Sequence, residues 1–433
     1  MLRILSTNDP TSEEVIARLI DRASDERAVE PRVREILEAV RKKGDEALLD
    51  YTRRFDGVTV ARADLRVQKK EIEEATIAIE PAVKVAIESA RSRIETFHRR
   101  EVRESWQVQE EDGTTFGQLV RPLGTVGIYV PGGEAPYPST VLMNAVPASL
   151  AGVPRLILVT PPGKDGRVNP PVLSAATTCG IEEIYKIGGA QAIGALAYGT
   201  ATIPKVDKIV GPGNVYVNVA KRLVFGDVAI DSLAGPSEVV VLADGDANPA
   251  YIAADLLSQA EHDPLATTFL VTSSQSLAEA VNAAIERQIA DLSRKEVIVA
   301  SLNDRGAIIV VEDLEEAIDL VNRIAPEHLE VMVDNSIDVL PRLRNAGMIL
   351  IGEYSPVPLC DYGAGPNHVL PTRGTARFSS PLGVNDFVKH TNYLAASKDT
   401  LQTLTDQVKT LAELEGFTAH AAAVKLRIGG ANG

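Results

Sequence analysis

Residues 124–133, GTVGIYVPGG, and 155–163, RLILVTPPG, decide the fold, because each is a Val/Ile-rich run of strand length closed by a Gly/Pro turn. The same texture returns in EIYKIGGAQAIGALAYG (183–199), DKIVGPGNVYVNVAKRLV (207–224) and SEVVVLADGDANP (237–249), where Ala-rich or amphipathic helical segments follow the turns. A second set lies at 267–274 (TTFLVTSS), 307–333 (AIIVVEDLEEAIDLVNRIAPEHLEVMV) and 347–355 (GMILIGEYS). Strand alternating with helix implies parallel sheets covered on both faces, so two parallel α/β layers are expected. No repeat with a period of 20–50 residues is visible, which leaves any duplication to the structure alone. Upstream, SEEVIARLIDRASD, PRVREILEAVRKKGDEALLDYTRRF and PAVKVAIESARSRIETFHRR carry apolar residues at spacings of three and four, the amphipathic helical period. Residues 1–26 read as a short arm with Thr11 or Ser12 as a helix N-cap. From about 383 the chain reads as helix, with Leu401, Leu404, Val408 and Leu411 on one stripe.

The chain has 433 residues, room for two to four domains, and 44 basic against 59 acidic residues give it a formal charge of -15. That balance repels polyanions and argues against nucleic acid as a partner. No run approaches the ~18 apolar residues of a membrane span, and the first residues lack a secretory pattern, so a cytoplasmic protein is expected. Cys179 and Cys360 stand far apart without CxxC spacing and read as small buried residues, not as a disulfide or thiolate site.

Three glycine turns follow strand-like runs: Pro131-Gly132-Gly133, Gly188-Gly189-Ala190-Gln191 and Gly211-Pro212-Gly213-Asn214. Such turns bring backbone N–H groups and a helix N-terminus to a pyrophosphate. The full GxGxxG pattern is absent, and the spacing alone does not separate a nucleotide site from structural turns.

Of six histidines, His262, His328, His368 and His420 stand in polar contexts, whereas His98 reads as a solvated helix residue and His390 as an ordinary helical one. Asn248 and Pro249 can start a helix on which Gln259 and His262 lie three apart on one face. Asp361 follows a strand by a loop. His420 follows Thr418, a plausible N-cap, and a helix N-terminus favours the neutral imidazole that a metal needs. These four would make a sulfur-free nitrogen/oxygen site suited to Zn²⁺, although a Gln-x-x-His pair also occurs as a plain surface pair. Glu327-His328 precedes a strand and offers two acid/base groups, the imidazole with an ordinary pKa of ~6.5 near working pH. On the residues alone, a solvated loop pair is the favoured reading of that pattern.

Six stretches, GGAQAIGALAYGT (188–200), GPSEVVVLAD (235–244), LLSQAEHDP (256–264), APEHLE (325–330), GPNHVLPT (365–372) and EGFTAH (415–420), occur in the order of the motifs of the histidinol dehydrogenase family, and the chain resembles that family end to end. The resemblance implies NAD-dependent, four-electron oxidation of L-histidinol to L-histidine through a bound aldehyde, the last step of histidine biosynthesis. It implies one zinc per subunit, held by Gln259, His262, Asp361 and His420, which orients the substrate. Glu327 and His328 become the proton acceptors, and Ser237, His368 and Glu415 join His328 and the zinc ligands in binding substrate. Tyr129, Gln191 and Asn214 become NAD contacts. The fold so implied is two incomplete Rossmann-like domains in an intertwined homodimer with shared active sites: an arm (1–26), a discontinuous zinc-bearing domain (27–128 and 237–382), an inserted NAD domain (129–236), and a C-terminal helical domain (383–433) that reaches into the partner's site. Pro366 departs from the polar residues usual before Asn367 but removes no named group. A zinc and NAD dehydrogenase of another small alcohol, or a zinc hydrolase, are the alternative readings.

Overall fold

The computed structural model describes residues 2–20, 26–132 and 136–429. Gly133 of the first glycine turn and residues 21–25 of the expected arm lie outside them. The chain divides into two units, Met1–Glu101 with Leu123–Phe387, and Val102–Pro122 with Val388–Gly433.

The first unit holds two parallel sheets. One contains β4 (Thr125–Tyr129), β5 (Arg155–Thr160), β6 (Glu183–Lys186), β7 (Lys208–Val210) and β8 (Ala229–Ile230), in the order β6-β5-β4-β7-β8. The other contains β1 (Arg3–Ser6), β9 (Glu238–Ala243), β10 (Thr267–Thr272), β11 (Gly306–Val310), β12 (His328–Met332) and β13 (Met348–Ile351), in the order β1-β11-β10-β9-β12-β13. In each, the first strand of the run is followed by two on one side, after which the chain returns to lay two on the other. Each sheet therefore has a topological switch point, between β4 and β7 and between β9 and β12. Every residue of β9 and β10 is buried, which explains why these strands read as unbroken apolar runs. The expected parallel α/β layers are present. The N-terminal segment, read as an arm, supplies an edge strand paired in parallel with β11.

Helices Glu26–Lys43 and Asp45–Phe55 pack with Gly189–Tyr198 and Val215–Val224 over one face of the five-stranded sheet. Lys69–Ala78, Pro81–His98, Pro138–Leu150 and Pro170–Thr178 cover its other face. Residues 27–98, expected with the zinc-bearing domain, thus clothe the five-stranded sheet instead, because their apolar stripes match its two faces. His98 is also not solvated: it shares the buried stripe of its helix with Ile87 and Ile94, and its Nδ1 lies 2.9 Å from Glu101 Oε2. On the six-stranded sheet, helix Pro249–Ala260 lies on the face that carries Val239, Val241 and Met332. Helix Leu314–Ile324 lies on the opposite face.

The second unit joins β2 (Trp106–Gln109), β3 (Thr115–Pro122) and β14 (Val388–Ala395) in an antiparallel sheet, with helices Lys398–Leu414 and Thr418–Ile428. After a 3-10 turn over Val384–Phe387, the chain therefore enters a strand before its helices, and His390 lies on that strand. The polar, largely exposed sequence VKHTNYLA has no apolar alternation to reveal it. Thr418 is the first helical residue rather than a cap, with Phe417 at the cap position and no side-chain hydrogen bond there. No helix among the described residues is long and apolar enough to cross a membrane.

Candidate active site

Two sites emerge in the first unit, at opposite edges of the two sheets. The first lies at the carboxyl ends of the five-stranded sheet. Tyr129 ends β4, Gln191 sits in the first turn of helix Gly189–Tyr198, and Asn214 caps helix Val215–Val224. All three line one cavity of about 1410 Å³, large enough for a dinucleotide. The turns pack tightly enough to require glycine: at Gly211, with φ +113°, a Cβ would run into the Tyr129 carbonyl. The Gly211 N–H donates to Asp231 Oδ2 at 2.8 Å, and its carbonyl accepts from Lys221 Nζ at 3.0 Å, Asp231 and Lys221 forming a fully buried ion pair. Tyr129 Oη accepts the Gly189 N–H at 3.1 Å, and burial pushes that phenol up to about 12, so it stays neutral. Asn214 Oδ1 accepts from the N–H groups of Tyr216 and Val217, which leaves its NH₂ free to donate. Gln191 Oε1 is buried without a partner among the described residues. An orphaned acceptor beside an open cavity and a helix N-terminus fits a ligand rich in hydroxyl and amide donors, as NAD is.

The second site lies at the amino ends of β9 and β12. The pairing register sets His328 beside Val239, so the residues that enter the two strands, Glu238 and Glu327, meet. Glu327 Oε2 accepts the Glu238 N–H at 2.8 Å, and Glu238 Oε2 accepts the Glu327 N–H at 3.3 Å. Glu238 Oε1 further accepts the Arg373 N–H at 2.8 Å. His328 Nδ1 is 3.1 Å from the Glu238 carbonyl, a contact that only a protonated Nδ1 can make. That bond fixes the tautomer and leaves Nε2 as the basic atom. Nε2 is buried with no hydrogen-bond partner among the described residues, 3.9 Å from Asp361 Oδ1, and His368 Nδ1 is 3.8 Å from the same oxygen. Burial would depress the His328 ring, but the carboxylates of Glu327 and Asp361 outweigh it and raise the ring to about 9. Burial holds His368 below its ordinary range against the pull of Asp361. The pair Glu327-His328 is thus buried rather than solvated.

Gln259 is buried on helix Pro249–Ala260, whose cap Asn248 and first residue Pro249 follow the expected pattern. The helix ends before His262, which is exposed in the following turn with its N–H on the Gln259 carbonyl. Ser237 immediately precedes β9. Glu415 and His420 belong to the second unit, where both are exposed and His420 packs against the Phe417 ring. Among the described residues no three His, Cys, Asp or Glu side chains form a metal cluster. Of the four expected zinc ligands only His262 and Asp361 are of those types within the first unit. The uncharged Gln259 amide, the exposed His262 ring and an Asp361 carboxylate held by no close hydrogen bond remain a donor set that fits Zn²⁺.

Several residues here escape a reading of the sequence. Glu238 braces both Glu327 and Arg373. Glu330, two residues beyond His328 and so on the same face of β12, forms a buried carboxyl pair with Asp255 of helix Pro249–Ala260 and accepts the Val357 N–H at 2.9 Å. Burial and the neighbouring carboxylate push Glu330 up to about 9, and burial raises Asp255 to about 6, so Glu330 keeps its proton at neutral pH. Charged residues inside strand-like runs were the available signal. Cys179 and Cys360 read as expected: burial pushes both thiols up to about 12, and neither is an activated nucleophile.

The chain is similar to known proteins along nearly its whole length. Residues 20–428 match the family model described as histidinol dehydrogenase. The chain is 53% identical over 404 residues to a histidinol dehydrogenase of Heliobacterium mobile, covering 93% of this chain and 95% of that one. It is 50% identical over 429 residues to that of Syntrophotalea carbinolica, covering 99% of each. A crystal structure of histidinol dehydrogenase from Elizabethkingia anophelis superposes with a TM-score of 0.93 at 37% identity, over 100% of this chain and 99% of the other.

Proposed function

Because this chain belongs to the histidinol dehydrogenase family, whose members carry out the NAD-dependent oxidation of histidinol to histidine, we propose that His328 is the base of that oxidation, Glu327 its partner in the hydration step, and the five-stranded sheet's cavity the NAD site. The observation that carries the reading is the state of the His328 ring, with Nδ1 tied to a carbonyl and Nε2 sealed from water without a partner. In the neutral ring that atom is the one that accepts the proton of a substrate hydroxyl. In the first oxidation the alcohol loses its hydroxyl proton to His328 Nε2 as hydride leaves the carbinol carbon for the nicotinamide. Water then adds to the aldehyde, with Glu327 accepting its proton. The hydrate would then give a second hydride to a second NAD and its remaining hydroxyl proton to His328, once that ring has released the first, leaving the carboxylate.

Gln259, His262 and Asp361 would hold zinc together with His420, and the bound ion supplies a fixed positive centre that orients the substrate's nitrogens. A cation at Asp361 would also offset one of the two carboxylates that keep the His328 ring basic. Ser237, His368 and Glu415 would contact the substrate. We assign His420 and Glu415 to the site of a second copy of the chain, in a homodimer whose second units are exchanged. Their exposure, and that of Leu404, Val408 and Leu411 on the preceding helix, fits a surface covered on assembly. Turnover of histidinol with NAD tests the reading: two NADH per histidinol and one zinc per chain are expected, and a yield of one NADH with an aldehyde as end product would overturn it.

A further inference from the structure

The dinucleotide cavity contains a carboxylate that its tertiary structure leaves without work. Among the described residues, four acidic ones line it: Asp56, Glu71, Glu74 and Asp165. Glu71 accepts from Val168 N–H at 2.9 Å and from Lys186 Nζ at 2.6 Å. Glu74 pairs with Arg167, and Asp165 accepts the Arg167 N–H at 3.0 Å. Asp56 differs from these three. It sits at the C-cap of helix Asp45–Phe55, where only its backbone N–H is engaged, and its Oδ2 is buried with no partner among the described residues. Arg32, on the same wall, lies over the Phe55 ring at 5.5 Å. Burial alone, with no compensating donor, raises the Asp56 carboxyl to about 6, so it is ionised at neutral pH. A buried carboxylate that faces a cavity without a donor is costly unless a ligand brings one.

The place of the missing donor follows from topology. In a parallel sheet with a switch point, the adenosine ribose lies beyond the second strand, where an acidic residue ordinarily accepts the ribose hydroxyls. Here that strand is β5, and it runs into Pro161-Pro162-Gly163-Lys164, with no free carboxylate at its end. The cavity extends past this turn, and Asp56 enters it from a helix outside the sheet. We infer that Asp56 accepts the hydroxyls of the adenosine ribose of NAD and thereby selects NAD against its 2′-phosphorylated counterpart. A vicinal diol supplies the two donors that the orphaned carboxylate lacks. A 2′-phosphate supplies none and adds like charge. This assignment rests on the cavity being the NAD site.

Calorimetric titration of the zinc-loaded enzyme with NAD and with NADP tests it on Asp56→Asn, Asp56→Ala and Gln191→Ala. The parent should favour NAD. In both Asp56 variants NAD affinity should fall by about tenfold or more, as for loss of a charge-assisted pair, while NADP affinity holds or improves. Zinc content and KM for histidinol should not change, and the melting temperature should hold or rise, since the unpartnered carboxylate is lost. NAD lacking the adenosine 2′-hydroxyl should bind the parent more weakly than NAD but bind Asp56→Ala as well as NAD does. NAD affinity within twofold of the parent in both Asp56 variants, or an equal loss for NAD and NADP, overturns the inference. If Gln191→Ala weakens NAD while the Asp56 variants do not, Asp56 alone is misassigned. If none of the three affects NAD, the cavity is not the cofactor site.

Discussion

The two parallel sheets of the first unit share one strand order and are used at opposite edges. At the carboxyl edge of the five-stranded sheet, glycine turns fold back on one another and open a cavity of about 1410 Å³. At the equivalent edge of the six-stranded sheet the space shrinks to about 150 Å³, lined in part by Asp244, Asp313 and Asp334. Those carboxylates are occupied with backbone: Asp244 accepts N–H groups of Asp246 and Asp334, and Asp313 caps helix Leu314–Ile324 through Glu316 N–H. An anionic pyrophosphate would meet three acids there instead of free N–H groups. The titratable groups of that sheet, Glu238, Glu327 and His328, gather at its amino edge instead. Shared topology thus offers the same crevice twice, and the residues that close the strand ends decide whether it binds, reacts or is sealed.

The largest effect that could break this division of labour is at the amino edge. His328→Asn should lower kcat by about 10²–10⁴-fold, the contribution of a positioned general base, while zinc content and NAD affinity stay near the parent's. Near-normal steady-state turnover would remove the base from this edge altogether. His262→Asn should come next, lowering zinc affinity by at least about tenfold and activity with it. Full zinc occupancy of the purified variant would mean that the turn after helix Pro249–Ala260 does not hold the metal.

Much of this division was legible in the residues. Runs such as SEVVVLA and TTFLVT are apolar throughout because helices cover both their faces, and this betrays parallel sheets without further help. Asn248-Pro249 announces its helix through cap chemistry, which is local. The antiparallel sheet of the second unit was not legible, since β14 pairs with a segment more than 250 residues upstream and shows little burial to impose a period. His98 was misjudged because the burial of a helix face depends on what packs there. In the site, Glu327 and His328 stood out as residue types, but the bond from Nδ1 to the Glu238 carbonyl arises from the β9–β12 register, which no local pattern specifies. The same holds for Glu330 with Asp255, brought together by a helix laid across a strand.

A pH profile sharpens the contrast between the two edges at intermediate size. The His328 ring is lifted to about 9 by the Glu327 and Asp361 carboxylates working against burial. Glu327→Gln removes one of those charges, so burial gains and the ring's pKa should fall. The ring must be neutral to accept a proton, and activity is lost as pH drops through its pKa. The acid limb of the first-turnover NADH burst should therefore move to lower pH in Glu327→Gln, with NAD affinity flat across the same range. An unmoved limb would mean that Glu327 does not act on His328.

The smallest effect concerns the protonated Glu330 carboxyl beside Asp255, where the helix bearing Gln259 meets the strand bearing His328. Glu330 sits near 4.5 when free and about 9 in the fold, so between those values the folded chain binds a proton that the unfolded chain releases. Unfolding is then helped as pH rises, and stability from this group, full below about 4.5, drains away up to about 9. Gln keeps a donor toward Asp255 and has no proton to lose. The melting temperature of Glu330→Gln relative to the parent should thus climb as pH goes from 5 to 9, by a few degrees at most in a chain of this size. A difference constant across that range would show that the carboxyl is already ionised in the fold, and that some other contact joins helix to strand.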